Sequence, residues 1–137
     1  MGADAVEFLR GVYEEWSQGD YSREFFADDV VSHGYGFVDL DRTAEGLEEV
    51  IEAQRDWLSQ WERPFTVEAE KFIPAGDAVV VLIRWHGTGR GSGVVTEAEG
   101  AHVWEIRDGE AVRWDIYRDR AKALADAGVA PEDAGSA

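Results

Sequence analysis

Four consecutive β-strands are predicted in the second half of the chain, with short turns between them. They cover Phe65–Ile73, Ala78–His86, Ala98–Arg107 and Ala111–Arg118. The run Ala78–His86 is almost continuously apolar, which is typical of a central strand covered on both faces. Strands that follow one another through short turns pair with their neighbours, so we expect a mostly antiparallel sheet.

The first half of the chain supplies most of the helices. Apolar residues recur there at helical spacing, and Asp20 is a candidate cap for a short second helix. The predicted elements are helices at Asp4–Ser17, Ser22–Phe26 and Thr43–Trp61, a strand at Val30–Phe37, and a terminal helix at Arg120–Gly128. This order indicates an α+β fold with the helices on one side of the sheet. A twisted sheet curled over the long helix leaves a cavity between them.

Length and composition indicate one domain over residues 1–128, followed by a disordered tail over 129–137. The chain has 137 residues, 45% of them hydrophobic, which is enough for a single core. It contains no cysteine, which excludes disulfides, thiolate nucleophiles and cysteine-ligated zinc. No stretch reaches the ~20 apolar residues of a membrane helix, and the N-terminus lacks the pattern of a secretory signal. We therefore expect a cytoplasmic protein.

The chain is strongly acidic. It carries 29 Asp and Glu against 13 Lys and Arg, a formal net charge of −16. Such a surface repels nucleic acids and anionic membranes, so neither is expected as a partner. High solubility or adaptation to a salty cytoplasm explains this charge most simply, and a cationic partner is the alternative.

Several short runs resemble the SnoaL-like domains of the nuclear transport factor 2-like superfamily. They are Tyr13-Glu-Glu-Trp-Ser-Gln-Gly-Asp20 and Phe26-Ala-Asp-Asp-Val30 near the start, and Ala101–Gly109 and Val112–Tyr117 near the end. The superfamily includes ketosteroid isomerases and polyketide cyclases. The resemblance implies a cone-shaped, curved, mostly antiparallel sheet wrapped around helices, with an internal pocket for a small hydrophobic molecule. It also implies a homodimer formed through the outer face of the sheet.

The catalytic positions of these relatives align with residues of different chemistry. The base of the isomerases falls at Gly34, next to His33, and their helix tyrosine falls at Val12, next to Tyr13. The second acid of the isomerases falls at His102. The aspartate of the cyclases falls at Ile116, next to Asp115. The Arg-x-Asp motif of the epoxide hydrolases is only approximated by Arg84-Trp85-His86. The resemblance therefore predicts none of these three activities by name.

The register of the last hairpin decides which residues face the pocket. A two-residue turn pairs Arg107 with Glu110 and places His102 beside Asp115. A three-residue loop pairs Ile106 with Glu110 and puts one set of residues on a common face: His102, Trp104, Val112, Trp114 and Ile116. The second register gathers the apolar residues, so we favour it. Glu105, Arg113, Asp115 and Tyr117 then point to the outer face.

Four residues are candidates for acid–base or donor roles. His102 would stand among tryptophans on the concave wall, where burial lowers the pKa of an imidazole. His33 is expected near the mouth of the cup, where it could act together with His102. Tyr13 could donate to a developing oxyanion, and Asp115 could orient His102 in the other register. The alternative for the histidines and Tyr13 is a structural role in the core or at a strand end.

The tryptophans are the clearest sign of a ligand-binding wall. Core filling is the alternative interpretation. The predicted ligand-binding residues are Trp16, Tyr35, Trp57, Trp61, Trp85, Trp104, Trp114 and Ile116. Gly87–Gly93 is predicted to be a flexible hairpin loop, with a possible role as a lid, rather than a phosphate-binding loop. The spacing of the three histidines does not suit a metal site, and no cofactor is expected.

Two functions follow from these residues. The first is a cofactor-free enzyme with a histidine acid–base that isomerises, cyclises or dehydrates a small hydrophobic ring compound. The alternative is a non-catalytic protein that binds a small hydrophobic ligand in the same pocket. A dimeric module with a vestigial, filled pocket is a third interpretation.

Overall fold

The computed structural model describes residues 2–35 and 43–130, and the structural statements that follow concern these residues. They form three helices and six strands. In chain order these are α1 Gly2–Trp16, β1 Phe26–Tyr35, β2 Thr43–Glu45, α2 Leu47–Ser59, β3 Thr66–Ala75, β4 Ala78–Thr88, β5 Val95–Arg107, β6 Glu110–Tyr117 and α3 Arg120–Asp126. The α+β class predicted from the sequence is confirmed.

The six strands form one curved, unclosed sheet in the order β2-β1-β6-β5-β4-β3. Only β1 and β6 pair in parallel; the other four strand pairs are antiparallel. The β3–β4 turn has Gly76 at φ 62°, and the β5–β6 turn has Asp108 and Gly109 at φ 53° and 78°. Positive φ angles at these positions match the twist of two-residue hairpins, which explains the Gly-Asp and Asp-Gly pairs there.

The predicted short helix at Ser22–Phe26 is wrong. Instead, the backbone N–H and hydroxyl of Ser22 donate to the Asp20 carboxylate at 3.0 and 2.6 Å, which makes a turn rather than a helix cap. Phe25 and Phe26 are buried as expected, but Phe26 begins β1. A five-residue segment gains too few backbone hydrogen bonds to form a helix against this competition.

The long helix starts later than predicted. Thr43–Glu45 is a short edge strand that pairs with β1, and α2 begins only at Leu47. Gly46 lies between them at φ 91°, a conformation that the helical pattern of the sequence does not reveal. The start of the helix was therefore misplaced by four residues because strand pairing, a tertiary interaction, takes precedence over local periodicity.

The last helix packs on the opposite face of the sheet from the first two. Ala123 of α3 is fully buried in an outer core with Val80, Ala101, Val103 and Tyr117. The larger, inner core contains α1 and α2 residues. Arg120 fastens α3 to the sheet by donating to the carbonyl oxygens of Gly100 and Ile83 at 3.0 and 2.6 Å. The expectation that the helices all lie on one side was wrong.

The last hairpin combines features of both predicted registers. Its tip is the two-residue turn, with Arg107 opposite Glu110. A β-bulge then shifts the register, so that Glu105 pairs with Arg113. As a result Trp104 lies opposite Trp114 and His102 opposite Ile116, on one face. The predicted three-residue loop was wrong, whereas the predicted sharing of a face by these four residues was correct.

Two predicted segments extend beyond the described residues. The strand expected to end at Phe37 is seen as far as Tyr35, and Gly36 and Phe37 lie outside the described ranges. Of the predicted tail, Val129 packs against the outer core and donates its backbone N–H to the Leu124 carbonyl oxygen at 2.9 Å. Residues 131–137 lie outside the description. Within the described ranges, none of the helices is long and apolar enough to cross a membrane.

Candidate functional site

A cavity of about 80 Å³ lies between α2 and the inner face of the sheet. Its walls come from both halves of the chain and are mostly aromatic and aliphatic. The lining residues are Trp16, Tyr21, Ser32, Val50, Ala53, Gln54, Trp57, Leu58, Phe65, Val67, Ile83, Trp85, His102, Trp114 and Ile116. Among these described residues there is no Asp, Glu, Lys or Arg.

Strand alternation builds the floor of the cavity. Ser32 on β1 lies opposite Trp114 on β6, and His102 on β5 lies opposite Ile116 on β6. Directly opposed residues share a face of the sheet, so all four project toward the cavity. Trp85 on β4 extends the same face toward the edge of the sheet. The floor is therefore apolar except for one hydroxyl and one imidazole.

Helix α2 forms the roof. Its lining residues fall at helical spacing, so that they share one face: Val50, Ala53, Gln54, Trp57 and Leu58. Ala53 is the smallest side chain of this set. A small residue at the centre of a helical stripe leaves space that a larger one would fill, so Ala53 helps to keep the cavity open.

An aromatic cluster closes one end of the cavity. The rings of Trp57, Trp61, Phe65 and Trp85 lie with centroids 5.2–5.8 Å apart. The backbone of Gly87 packs directly against this cluster. A Cβ at that position would come within 2.7 Å of both the Phe65 and Trp61 rings. Only glycine fits there without displacing a ring.

The glycine-rich connection is anchored to the end of α2. Gly89 forms a β-bridge with Trp61, and the Arg90 side chain donates to the carbonyl oxygens of Ser59 and Trp61 at 3.0 Å each. Strand β4 also continues to Thr88, which shortens the predicted loop. None of the lining residues named above comes from Gly87–Gly93, so its expected role as a lid stays a prediction.

His102 is held from behind by a chain of buried hydrogen bonds. The Trp104 indole N–H donates to the Tyr13 hydroxyl at 2.8 Å, and the Tyr13 hydroxyl lies 2.5 Å from His102 Nδ1. All three side chains are at most 4% exposed. Helix α1 supplies Tyr13, and alternate residues of β5 supply the other two.

These contacts assign the tautomer of His102. An indole N–H can only donate, so it occupies a lone pair of the Tyr13 oxygen. Among the described residues the Tyr13 hydroxyl has no acceptor other than Nδ1, so donation of its proton to a bare Nδ1 is the arrangement that leaves no buried group unsatisfied. A neutral imidazole with a bare Nδ1 carries its proton on Nε2. His102 therefore presents an N–H donor at Nε2.

Burial keeps this site uncharged. It lowers the pKa of His102 to about 3, and it holds the pKa of Tyr13 well above its ordinary value despite the opposing hydrogen bond from Trp104. His102 is therefore neutral at physiological pH. An imidazole with this pKa is a poor general base near neutrality, whereas its N–H remains an effective hydrogen-bond donor.

His33 and Asp115 lie on the outer face of the sheet, away from the cavity. The parallel β1–β6 register puts them opposite each other, with His33 Nδ1 2.9 Å from Asp115 Oδ1. Arg113 holds the other carboxylate oxygen with two donors at 2.6 Å. The expectation that His33 stands at the mouth of the cup is wrong, because β1 presents Ser32 to the cavity and His33 to the other face.

Tyr35 shares this outer face. Its ring stacks on Tyr117 with centroids 4.6 Å apart and lies 6.1 Å from the His33 ring. The sequence-based grouping of Tyr35 with the pocket is therefore not reproduced. Asp115 is fully buried, but its partners are His33 and Arg113 rather than His102.

Most of the predicted aromatic wall does line the cavity. Trp16, Trp57, Trp85, Trp114 and Ile116 are all lining residues, together with His102.

Two of the tryptophans that were predicted to line the cavity, Trp61 and Trp104, are not among its lining residues. Trp61 packs in the closing aromatic cluster, and Trp104 lies fully buried behind His102. The indole N–H groups of Trp61 and Trp114 are buried without a hydrogen-bond partner among the residues described.

The polar lining residues Ser32, Gln54 and Tyr21 were not among the predicted ligand-binding residues. Gln54 falls on the apolar stripe of α2, so its position could have been found from helical spacing. Ser32 could not, because the adjacent Val30 and Val31 leave the alternation of β1 ambiguous. Tyr21 follows α1 in an irregular segment, and its hydroxyl is already used, donating to the Phe65 carbonyl at 2.7 Å.

The chain matches the family model of the SnoaL-like domain over residues 9–114. Among solved structures, it is similar to a candidate SnoaL-like polyketide cyclase from Jannaschia sp. CCS1, at 19% identity, 95% coverage of both chains and a TM-score of 0.72. No protein of curated function matches the sequence significantly.

Two further solved structures agree with this fold. A nuclear transport factor 2-like protein of unknown function from Burkholderia pseudomallei is 24% identical, with 88% of this chain and 94% of that chain covered and a TM-score of 0.68. A protein with a ketosteroid isomerase-like fold from Catenulispora acidiphila, solved with trimethylamine, is 19% identical, with 92% and 95% covered and a TM-score of 0.67. These likenesses confirm the predicted fold, and the family match covers most of the inner core and the cavity. The chain belongs to the SnoaL-like domain family.

Proposed function

We propose that this domain binds a small, uncharged, largely apolar molecule in the cavity between α2 and the sheet. The observation that carries the proposal is the lining itself. It offers aromatic and aliphatic surface, one neutral imidazole and a few neutral polar groups. None of the described residues that line the cavity has a charged side chain. A charged ligand would lose its hydration there without gaining a counter-ion, which is costly.

The size of the cavity limits the ligand. Its volume of about 80 Å³ is well below the ~150 Å³ of an apolar cavity that accommodates benzene. We therefore expect ligands with at most one ring, part of which remains near the opening. A polycyclic ligand would require α2 to move away from the sheet.

A second candidate is a cofactor-free isomerase, cyclase or dehydratase that acts on such a ligand. The observation that favours it is the buried Trp104–Tyr13–His102 chain, which prepares a donor that could polarise a carbonyl group. A proton acceptor of suitable pKa is missing from the described lining, so the binding function is better supported. His102 as acid–base, with His33, Tyr13 and Asp115 as further catalytic groups, stays a prediction.

Homodimerisation through the outer face of the sheet also remains a proposal. Helix α3 covers part of that face, and the strand residues beside it include the ion pair of Arg113 and Asp115. Sedimentation equilibrium is the direct test. We expect a dimer at micromolar concentration, and a monomer at all accessible concentrations would contradict it.

Calorimetric titration with cyclopentanone, cyclohexanone, benzoate and trimethylammonium tests the binding function. We expect the two neutral ketones to bind and the two ions not to bind. Ala53→Leu should abolish ketone binding by filling the cavity, whereas Ala125→Leu, the same change on an exposed position of α3, should leave it intact. Equal ketone affinity in both variants would place the binding site elsewhere and contradict the proposal.

The same samples distinguish binding from catalysis. Proton spectra recorded over hours reveal any new product from the bound ketone or from a larger panel of single-ring carbonyl compounds. Unchanged ligands support the binding function. A product formed by the wild type and by Ala125→Leu, but not by Ala53→Leu, would favour the second candidate.

A further inference from the structure

We propose that the cavity selects ligands that carry a carbonyl oxygen, because Tyr13 fixes His102 as an Nε2–H donor facing the ligand. This inference rests on the proposed binding function and specifies its ligand class. Tyr13 is a positioning residue in this account, since it acts on the ligand only through His102.

The first step concerns the direction of the hydrogen bonds behind His102. With the Trp104 indole donating to the Tyr13 oxygen at 2.8 Å, the tyrosine proton points to His102 Nδ1 at 2.5 Å. The other tautomer would place two hydrogens between Tyr13 and His102, or leave the Tyr13 proton without an acceptor. Either arrangement leaves a buried polar group unsatisfied, which is strongly disfavoured.

The second step concerns the exclusion of water from this chain. Trp104, Tyr13 and His102 are 0%, 3% and 4% exposed. Aromatic rings surround the imidazole, with Trp16 and Trp114 at centroid distances of 6.2 and 5.6 Å. Water therefore cannot easily replace Tyr13 as the partner of Nδ1, and the tautomer is set before a ligand arrives.

The third step concerns the free end of the imidazole. His102 lines the cavity, and its Nε2 has no hydrogen-bond partner in the described part of the chain. A ligand that fills the cavity without an acceptor would leave this donor desolvated and unpaired. A carbonyl oxygen would accept from it directly, so we expect a preference of about tenfold or more for a carbonyl over a hydrocarbon of the same shape.

The same donor separates carbonyl compounds from cations. The net charge of −16 attracts cations to the protein, and aromatic rings can bind them. An N–H dipole that points into the cavity opposes this binding, because its positive end faces the ligand. Trimethylammonium is therefore an informative negative probe.

Cyclohexanone and methylenecyclohexane form a matched pair for the test, since they differ only by an oxygen in place of a CH₂ group. Calorimetry with the wild-type protein should give at least a tenfold tighter dissociation constant for the ketone. Equal affinities would overturn the selectivity and leave the binding function standing. Failure of both to bind, or binding of trimethylammonium in preference to both, would overturn the binding function and the selectivity together.

Variants test the role of Tyr13. Tyr13→Phe should reduce the ketone preference toward unity while methylenecyclohexane still binds. Tyr117→Phe removes the same hydroxyl group from the outer face, where it donates to Asp126 at 2.9 Å, and should keep the full preference. A Tyr13→Phe protein with an unchanged preference would overturn the positioning role.

A direct measurement on the wild type does not depend on how the variants fold. Long-range ¹H–¹⁵N spectra distinguish protonated from bare imidazole nitrogens, and a His102→Gln spectrum assigns the signals. We expect a protonated Nε2 and a bare Nδ1 that do not change between pH 5 and 8, and a shift of the Nε2 proton with cyclohexanone. A protonated Nδ1, or titration near pH 6.5, would overturn the proposal.

Discussion

His102 differs from a surface histidine in its solvation rather than in any charged neighbour. Burial alone lowers its pKa to about 3, and its ring contacts Tyr13, Trp16, Trp104 and Trp114. The sequence suggested both the position of His102 on the concave wall and the direction of the pKa change. It could not reveal the Tyr13 hydrogen bond, which joins residues 89 positions apart.

Lowering the pH should destabilise the protein through His102. Between its ordinary pKa of 6.5 and its folded pKa of about 3, the unfolded chain binds a proton that the folded protein excludes. The free energy of unfolding should fall with decreasing pH in this window, by up to about 1.4 kcal/mol per pH unit. Urea unfolding of the wild type and His102→Gln at pH 7, 6 and 5 measures this contribution. Parallel pH dependences of the two proteins would contradict it.

Asp115 should matter for stability and not for the ligand. Its fully buried carboxylate accepts hydrogen bonds from His33 and Arg113 on the outer face. Asp115→Asn should lower the free energy of unfolding by about 1–3 kcal/mol and leave cyclohexanone affinity unchanged. Glu105→Gln removes the more exposed partner of Arg113, at 3.6 Å, and should cost less than about 1 kcal/mol. A selective loss of ligand binding in Asp115→Asn would show that this account of Asp115 is wrong.

At the scale of elements, the β4–β5 hairpin and α2 form one unit. The connection after Gly87 joins the end of α2 through Gly89 and Arg90, and the aromatic cluster fills the space between them. The sequence predicted both elements from their periodicity. It gave no indication of their contact, because the glycine spacing is equally typical of a mobile loop.

Gly87→Ala should therefore disturb the closing wall of the cavity. The added Cβ would lie 2.7 Å from the Phe65 and Trp61 rings, and we expect a loss of about 1–3 kcal/mol in the free energy of unfolding together with weaker ligand binding. Gly11→Ala is the matched control. Its Cβ would meet only the Arg23 guanidinium, at 3.3 Å, in the middle of α1, and that side chain is bound to Glu15 by two hydrogen bonds. A shift of the guanidinium by a few tenths of an ångström accommodates the methyl group, so we expect a change between no loss and a gain of roughly 0.5–1 kcal/mol from the helix propensity of alanine. Equal effects of the two changes would contradict the tight packing at Gly87.

The bulge in β6 shows why face assignments are harder to predict than strands. The apolar side chains of Trp104, Trp114 and Ile116 indicated that these residues share a face with His102, and that was correct. The sequence also contains the Asp-Gly signal of a two-residue turn. Without a bulge, that turn would put His102 and Trp104 on the opposite face from Trp114 and Ile116. One extra residue in the strand reconciles the two signals, and neither signal alone predicts it.

At the scale of the whole molecule, the sheet separates two cores with different roles. The inner core carries the cavity, whereas the outer core lies under α3. The contacts of Asp115 with His33 and Arg113 are on the same face of the sheet as the outer core. The order of the last four strands and the α+β class follow from consecutive hairpins, so the sequence predicted them well. The parallel β1–β6 pairing is a long-range contact, and it placed His33 and Tyr35 on the face that the sequence pattern did not favour.

Methyl chemical shifts during titration with cyclohexanone provide the most direct measurement of the cavity. Val50, Val67 and Ile83 line it, whereas Val80 and Val103 belong to the outer core on the other face of the sheet. We predict saturable shifts of the first three and no comparable shifts of the other two. Shifts confined to the outer core, or no saturable shift in either core, would contradict a ligand-binding cavity between α2 and the sheet.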